Sequence, residues 1–225
     1  MKSGALRWAV LILVLALPLA GLGAAPDIAL RSRFSIDLEG IPGSPDPVLL
    51  RDSEGAELLL EEAAWVFSGE IDGFDFEWTP ANKVRAITEA FTLRPQGLLR
   101  SPDRRLVPGS FVRERNQLWV WIDFVADMTD QANMAMNRAA SWKSSQGIAA
   151  IPLSRGWAGR REACVAAIKA GIEAWSRSVE PNRPSFVKGR VLLTAVPLIS
   201  FTEGSWRAQV RIRLQVVELR NWDIW

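Results

Sequence analysis

Four carboxylates in one short stretch are the residues best suited to acid–base chemistry. Glu70, Asp72, Asp75 and Glu77 lie close together in the chain. Two neighbouring carboxyl groups can act as acid and base on a glycosidic bond, and carboxylate oxygens also bind calcium. However, Asp75 and Glu77 alternate with apolar residues, as on the polar face of a strand, and no calcium-loop spacing is present. Two interpretations remain: a glycan hydrolase that uses Asp72, Asp75 or Glu77, and a solvated or ion-paired strand face.

Three arginines near the end of the chain alternate with apolar residues, as the four carboxylates do in part, but carry the opposite charge. Arg207, Arg211 and Arg213 share one face of a strand whose other face is apolar. Guanidinium groups bind carboxylates and phosphates through paired hydrogen bonds, so the row could bind a carboxylate or phosphate polymer. It could instead pair with Asp75 and Glu77 across a sheet, because opposite charges on neighbouring strands attract. The sequence leaves both interpretations open.

Tryptophans supply the other candidate binding groups. Trp119 and Trp121 lie on the same side of a predicted strand, where two indoles could stack a sugar ring or a peptide. If that strand is central, the same side chains belong to the core. Trp222 and Trp225 lie at the end of the chain, where they either dock on the domain or offer an exposed apolar contact.

The residue types that are missing exclude several chemistries. The chain has no histidine, which excludes Ser-His-Asp and Cys-His triads and histidine-ligated zinc. The single cysteine, Cys164, cannot form an intramolecular disulfide, and its apolar helical surroundings predict a buried, unreactive thiol. We therefore expect no metal and no cofactor, and a non-enzymatic protein is the leading hypothesis.

The N-terminus has the pattern of a secretion signal. Lys2 and Arg7 precede an apolar run from Trp8 to Leu17, and small residues follow Pro18. This pattern predicts a signal peptide at residues 1–23 that is cleaved near Gly23 and Ala24. Residues 24–225 are then a single exported domain, periplasmic or secreted, with no membrane span after cleavage because no other segment is apolar enough.

Charge distribution bears on the partners of the exported domain. The full chain carries a net charge of +2, and loss of Lys2 and Arg7 brings it to zero. A neutral domain is a poor candidate for binding nucleic acid. Residues 24–100 hold 7 basic and 14 acidic residues, and residues 101–225 hold 18 and 11. Either the two parts pair their charges within one domain or the chain self-associates.

Hydrophobic periodicity predicts an α+β fold. We expect an antiparallel sheet of about five to six strands with two main helices packed on one face, and the order of elements also permits a degenerate duplicated helix–hairpin unit. Residues 95–116 and 144–159 read as irregular connections, and 129–142 as a weaker helix. The main predicted helices are 52–69 and 160–178, and the predicted strands are 31–38, 71–79, 84–93, 118–125, 187–201 and 207–216. Of these, residues 84–93 also fit a helix, through Val84, Ile87 and Phe91.

One segment resembles a known group of proteins. The run from Trp65 to Pro80, WVFSGEIDGFDFEWTP, continues through Lys83, Arg85, Glu89 and Phe91. It is similar to a segment of uncharacterised exported proteins of spirochaete-type bacteria. The resemblance implies a bacterial envelope location and carries over no catalytic residue. The expected function is therefore a binding or interaction domain for an envelope protein or a cell-wall polymer.

Overall fold

A computed structural model describes residues 28–39, 49–180 and 184–222. The predicted signal peptide, residues 1–23, and Trp225 lie outside the described residues. Within this part of the chain the fold is α+β, as predicted, with antiparallel pairing in both of its sheets. The helices are α1 (Asp52–Ile71), α2 (Met128–Ala139) and α3 (Ala158–Val179), and the strands are β1 (Ile28–Asp37), β2 (Phe74–Thr79), β3 (Ala90–Pro95), β4 (Leu106–Pro108), β5 (Val112–Glu114), β6 (Gln117–Val125), β7 (Lys143–Pro152), β8 (Phe186–Leu193), β9 (Leu198–Thr202) and β10 (Ser205–Arg220).

The larger sheet matches the predicted architecture. Its described strands run in the order β3-β2-β8-β10-β7, and β9 pairs with one end of β10. Strand β10 alternates as expected: Ala208, Val210 and Ile212 are buried, and Arg207 and Arg211 are exposed. Helices α1 and α3 both pack on the apolar face of this sheet. The prediction of two main helices on one face of an antiparallel sheet is confirmed.

Strand β7 corrects the prediction that residues 144–159 are irregular. Helix α3 lies so close to this strand that a Cβ atom at Gly147 would overlap the backbone of Ala167. Small side chains such as Gly147 and Ala149 are required on the inner face of β7 for this approach. Because small residues carry a weak strand propensity, the same requirement hides the strand in the sequence.

The structure has a second, smaller sheet, whereas the sequence predicts a single sheet. Within the described residues β6 lies between β1 and β4, and β5 also pairs with β6. The predicted central strand 118–125 is therefore confirmed as β6. Helix α1 lies between the two sheets, and its Phe67 packs against Phe34 and Phe124 at ring distances of 5.7 and 5.8 Å. A helix that is buried on several sides shows little amphipathic periodicity.

The predicted end of helix α1 is wrong. The helix was expected to end at Gly69, but it continues to Ile71, and Gly69 lies inside it where a Cβ atom would overlap Phe74 and Leu193. The chain leaves the helix at Gly73, which has a φ of 79°.

The predicted strand 187–201 divides instead into β8 and β9. Pro197 lies in the break, where a residue without an N–H cannot join the hydrogen-bond ladder. Part of the predicted irregular connection 95–116 forms the short strands β4 and β5.

Buried side chains from both sheets form one continuous core cluster. Cys164 belongs to it with 2% of its surface exposed, and burial raises the pKa of its thiol to about 12. The prediction of a buried thiol is confirmed. In the described part of the chain, none of the helices combines the length and the hydropathy that crossing a bilayer requires.

Candidate functional site

The face of the larger sheet that points away from α1 and α3 carries the predicted acidic residues. Asp75 pairs in register with Arg94 on one side and with Arg190 on the other. Glu77 forms a 2.8 Å ion pair with Lys188, whose ammonium group holds the pKa of this carboxyl below its ordinary value. The open, ion-paired strand face is the interpretation that this geometry supports.

The arginine row, Arg207, Arg211 and Arg213, lies on the same open face. Strand β8 separates β10 from β2, so the considered pairing of this row with Asp75 and Glu77 does not form. Among the described residues, no carboxylate lies within ion-pair distance of any of these three guanidinium groups. The row is therefore a line of cations whose charge is not neutralised by the described protein.

Asp72 lies apart from Asp75 and Glu77, in a cleft of about 680 Å³ at the C-terminal end of α1. We call this the polar cleft. Asn133 on α2 donates from Nδ2 to Asp72 Oδ1 over 2.9 Å, and Asn137 donates to the carbonyl of Ile71 over 2.7 Å. The polar cleft is lined by Asp72, Gln96, Asp127, Trp142, Arg190 and Gln215, among other residues.

The other carboxylates of the polar cleft have structural roles. Asp127 is the N-cap of α2, and Asp130 completes the capping box. Hydrogen bonds from backbone N–H groups, that of Asp130 first, lower the pKa of Asp127. Arg105 lies 3.2 Å from Asp130 and 2.9 Å from Asp103. No group of three or more side chains in the described ranges is arranged to bind a metal ion.

The positions of these carboxyl groups argue against the hydrolase hypothesis. A pair of catalytic carboxylates must face one substrate bond from opposite sides. Asp72 faces the polar cleft, whereas Asp75 and Glu77 share a smaller concavity of about 300 Å³ on the open sheet face. There they project side by side from one strand, and Glu77 is paired with Lys188, so they do not face a substrate bond from opposite sides. The acid with a raised pKa is Glu70, which burial shifts to about 7, and it does not line the cleft. The geometry provides no acid–base pair from these residues.

Trp119 and Trp121 lie on the outer face of the smaller sheet rather than in the core. Trp121 is 42% exposed, and Trp119 is half-buried. The guanidinium of Arg33 stacks on Trp119 at 4.4 Å, and that of Arg31 stacks on Trp121 at 5.4 Å. Both indoles are therefore partly covered by cations of β1. At the end of the chain, Trp222 docks beneath Arg85 at 4.9 Å.

An apolar groove of about 750 Å³ runs between α1 and α3. Its walls include Leu58, Trp65, Phe91, Trp157 and Ile199. The sequence does not reveal this groove, because each wall residue fits the apolar face of its own element. An ion pair between the buried Arg160 and the half-buried Glu62 lines one side of the groove.

No local sequence pattern reveals the polar cleft either, because its walls come from parts of the chain that are far apart in sequence. Arg190 was assigned to the interior of a predicted strand, and Trp142 to the end of a weak helix. The one available indication was Asp72, which falls outside the period-2 alternation that places Asp75 and Glu77 on a strand face.

Comparisons with known proteins place the chain among relatives of unknown activity. Residues 21–222 match the model of an uncharacterised protein family. An uncharacterised protein of Treponema pallidum (strain Nichols) is 23% identical over 185 residues, which cover 82% of this chain and 74% of that protein. The resemblance to uncharacterised spirochaete proteins is confirmed by this match. No solved structure matches the chain.

Proposed function

We propose that this chain, which belongs to the uncharacterised family matched over residues 21–222, is an exported bacterial envelope protein that binds an anionic cell-wall polymer and catalyses no reaction. The observation that carries the proposal is the arginine row. Arg207 and Arg211 are exposed on the open sheet face and Arg213 is half-buried beside them, and none of the three has a carboxylate partner among the described residues. Charge complementarity therefore favours a partner that carries phosphate or carboxylate groups.

The length of the arginine row favours a polymer over a small anion. Successive residues on one face of a strand lie about 7 Å apart, so Arg207 and Arg213 are separated by about 20 Å. A single phosphate cannot reach both ends of such a row. An extended chain with repeated negative groups can contact all three arginines, and guanidinium groups bind such groups in a bidentate manner.

The rival hypothesis, a carboxylate-dependent glycan hydrolase, receives less support. It needs two carboxyl groups on opposite sides of one substrate bond, whereas Asp72 lies in the polar cleft and Asp75 and Glu77 lie side by side on β2. Both carboxyl groups on β2 contact polar or cationic neighbours: Gln96 donates to Asp75 over 2.7 Å, and Lys188 pairs with Glu77. Binding without catalysis is the function that agrees with these contacts.

Export is the part of the proposal that rests on residues 1–23. We expect a bacterial host that expresses the full chain to release a product that starts at Ala24 or Ala25, as read by N-terminal sequencing of the periplasmic fraction and the medium. The double substitution Leu13→Arg and Leu15→Arg breaks the apolar run and should leave the precursor uncleaved inside the cell. An uncleaved, unsubstituted chain that begins at Met1 would contradict export.

Polymer binding is tested with poly(glycerol phosphate) and polygalacturonate as phosphate and carboxylate probes. We expect the purified chain to bind at least one of them, with affinity that falls steeply between 50 and 300 mM salt because counterions are released on binding. The double substitution Arg211→Gln and Arg213→Gln should weaken binding about tenfold at low salt. It should also lower the slope of log affinity against log salt, because fewer counterions are released on binding.

A matched control removes the same charge from the other side of the larger sheet. Arg161 and Arg177 lie on α3, which packs on the face opposite the arginine row. The variant Arg161→Gln with Arg177→Gln should bind the polymers as the unsubstituted chain does. Equal losses in both double variants would show attraction by net charge alone and would overturn the assignment of the arginine row. If the purified chain retains an envelope protein but has no affinity for either polymer, the choice of a polymer as the partner is overturned.

A further inference from the structure

The polar cleft adjoins the end of the arginine row. Gln215 follows Arg213 on the same face of β10 and lines the cleft, and its register partner on β8 is Arg190, which lines the cleft as well. Trp142 immediately precedes β7, whose Ser144 is the register partner of Arg213. A polymer that lies along β10 therefore reaches this cleft without leaving the protein surface.

The charges that line the cleft differ from those of the arginine row. Three carboxylates and two guanidinium groups face it, from Asp72, Asp127, Asp130, Arg105 and Arg190. Arg105 pairs with Asp130 and Asp103, and it also lies 3.7 Å from Asp127. Carboxylates still outnumber guanidinium groups in the cleft, so a phosphate or carboxylate group would meet an excess of negative charge there. The cleft therefore suits a neutral group, in contrast to the adjoining cations.

Some hydrogen-bond donors and acceptors that line the polar cleft are not used by contacts within the described protein. Among the described residues, Arg190 uses Nη2 to donate to the carbonyl of Asp72 over 3.0 Å, which fixes its guanidinium group at the edge of the cleft. The amide of Gln215 has no hydrogen-bond partner within the described ranges. Asp72 accepts from Asn133 through Oδ1, which leaves Oδ2 as an acceptor. Hydroxyl groups, which both donate and accept, match this mixture better than an anion does.

The apolar part of the cleft completes this chemistry. Leu98 and Met136 line it and are 52% and 63% exposed, and the indole of Trp142 is held by a 2.8 Å hydrogen bond from Nε1 to the carbonyl of Asn137. Exposed apolar side chains beside polar groups suit a ligand with a small apolar substituent on a polar ring. An N-acetylated sugar has these properties, since it carries hydroxyls, an amide and a methyl group. The volume of about 680 Å³ lies within the range of small-molecule sites.

We infer that the polar cleft is a binding subsite for one neutral N-acetylated sugar unit of the same polymer whose anionic groups lie on the arginine row. The inference rests on the proposed function. It adds a division of roles: the arginine row attracts the charged backbone, and the cleft selects the sugar. Such a division makes affinity depend on salt and selectivity depend on the sugar.

The test uses the neutral trisaccharide triacetylchitotriose as the probe and maltotriose, which lacks acetyl groups, as its comparison. We expect titration calorimetry with the full chain to show binding of triacetylchitotriose at least tenfold tighter than that of maltotriose. Because the probe is uncharged, its affinity should change less than twofold between 50 and 300 mM salt. Arg211→Gln with Arg213→Gln should leave this affinity unchanged.

The matched variants are two glutamine substitutions on one face of β10. Gln215→Leu, inside the cleft, should weaken binding of triacetylchitotriose at least tenfold. Gln209→Leu changes the same residue type on the same strand outside the cleft and should have no effect. Equal effects of the two variants, or equal affinity for the two sugars, would overturn the inference.

The two proposals fail in different ways. Binding of the anionic polymers without binding of triacetylchitotriose overturns the sugar subsite and supports the arginine row. Binding of triacetylchitotriose without binding of either polymer supports the cleft as a sugar site and overturns both the proposed function and the link between the two surfaces. Circular dichroism of Gln215→Leu and Gln209→Leu should match the unsubstituted chain, since both side chains lie on the solvent side of β10.

Discussion

Replacing Arg160 by alanine is expected to lower the free energy of unfolding by about 3 kcal/mol, the lower end of the range for a buried pair, because it leaves the half-buried carboxylate of Glu62 without its counter-ion. Arg160 is 9% exposed and binds Glu62 through two hydrogen bonds of 3.0 and 3.2 Å. Its Nη2 also donates to the carbonyl of Ser35, and its guanidinium stacks on Trp206 at 5.3 Å. One side chain of α3 thus contacts α1, β1 and β10.

Urea denaturation at pH 7 measures this effect, and a double variant isolates its cause. Arg160→Met with Glu62→Leu removes both charges and fills a similar volume, so it should recover most of the lost stability. The control Arg155→Ala breaks an ion pair with Glu162 that is largely exposed, and we expect no measurable change from it. If Arg160→Ala unfolds like the unsubstituted chain, the ion pair does not join these elements.

The elements that could be predicted are those whose own periodicity is strong. Strand β10 alternates apolar residues with Arg207, Arg211 and Arg213, and this alternation follows directly from burial of one sheet face. Helix α3 presents Ala163, Ala167 and Ile168 to the sheet at helical spacing. In both elements the local pattern and the tertiary contacts agree, so the pattern was sufficient.

The elements that could not be predicted depend on partners distant in sequence. Strand β7 needs Gly147 because α3 approaches it closely, and glycine by itself indicates a turn. The separation into two sheets depends on α1 lying between them, where Phe67 contacts aromatic rings of both β1 and β6. Side-chain periodicity reports how much of a face is buried, but not which sheet buries it.

The candidate site also has one part that the sequence predicts and one part that it does not. Exposure of the arginine row follows from alternation along one strand, and its lack of counter-ions follows from the position of β8, which no local pattern reveals. The polar cleft joins Asp72 to Gln215 across most of the chain length, through Asn133 and Arg190. Sequence reasoning found Asp72 but grouped it with Asp75 and Glu77, because neighbours in sequence are the only neighbours that a sequence displays.

Replacing Glu70 by glutamine is expected to stabilise the protein by about 3 kcal/mol at pH 8 and to remove a fall in stability between pH 4.5 and 7. Burial raises the pKa of Glu70 from 4.5 to about 7, and its buried Oε1 has no hydrogen-bond partner among the described residues. Between these two pH values the folded chain therefore holds a proton that the unfolded chain has released. Stability falls as pH rises through this window and levels off above it, by about 1.4 kcal/mol for each unit of difference.

The pH dependence of urea unfolding from pH 4 to pH 8 tests this assignment. Glutamine copies the neutral carboxyl group in size, so the variant and the unsubstituted chain should have similar stability at pH 4 and diverge as pH rises. Glu77→Gln is the matched control, because the ion pair with Lys188 lowers the pKa of Glu77 and places its contribution below pH 4.5. The control should leave the slope between pH 4.5 and 7 unchanged. A Glu70→Gln variant with the same slope as the unsubstituted chain would mean that Glu70 is already ionised in the folded protein below pH 7, and would contradict this assignment.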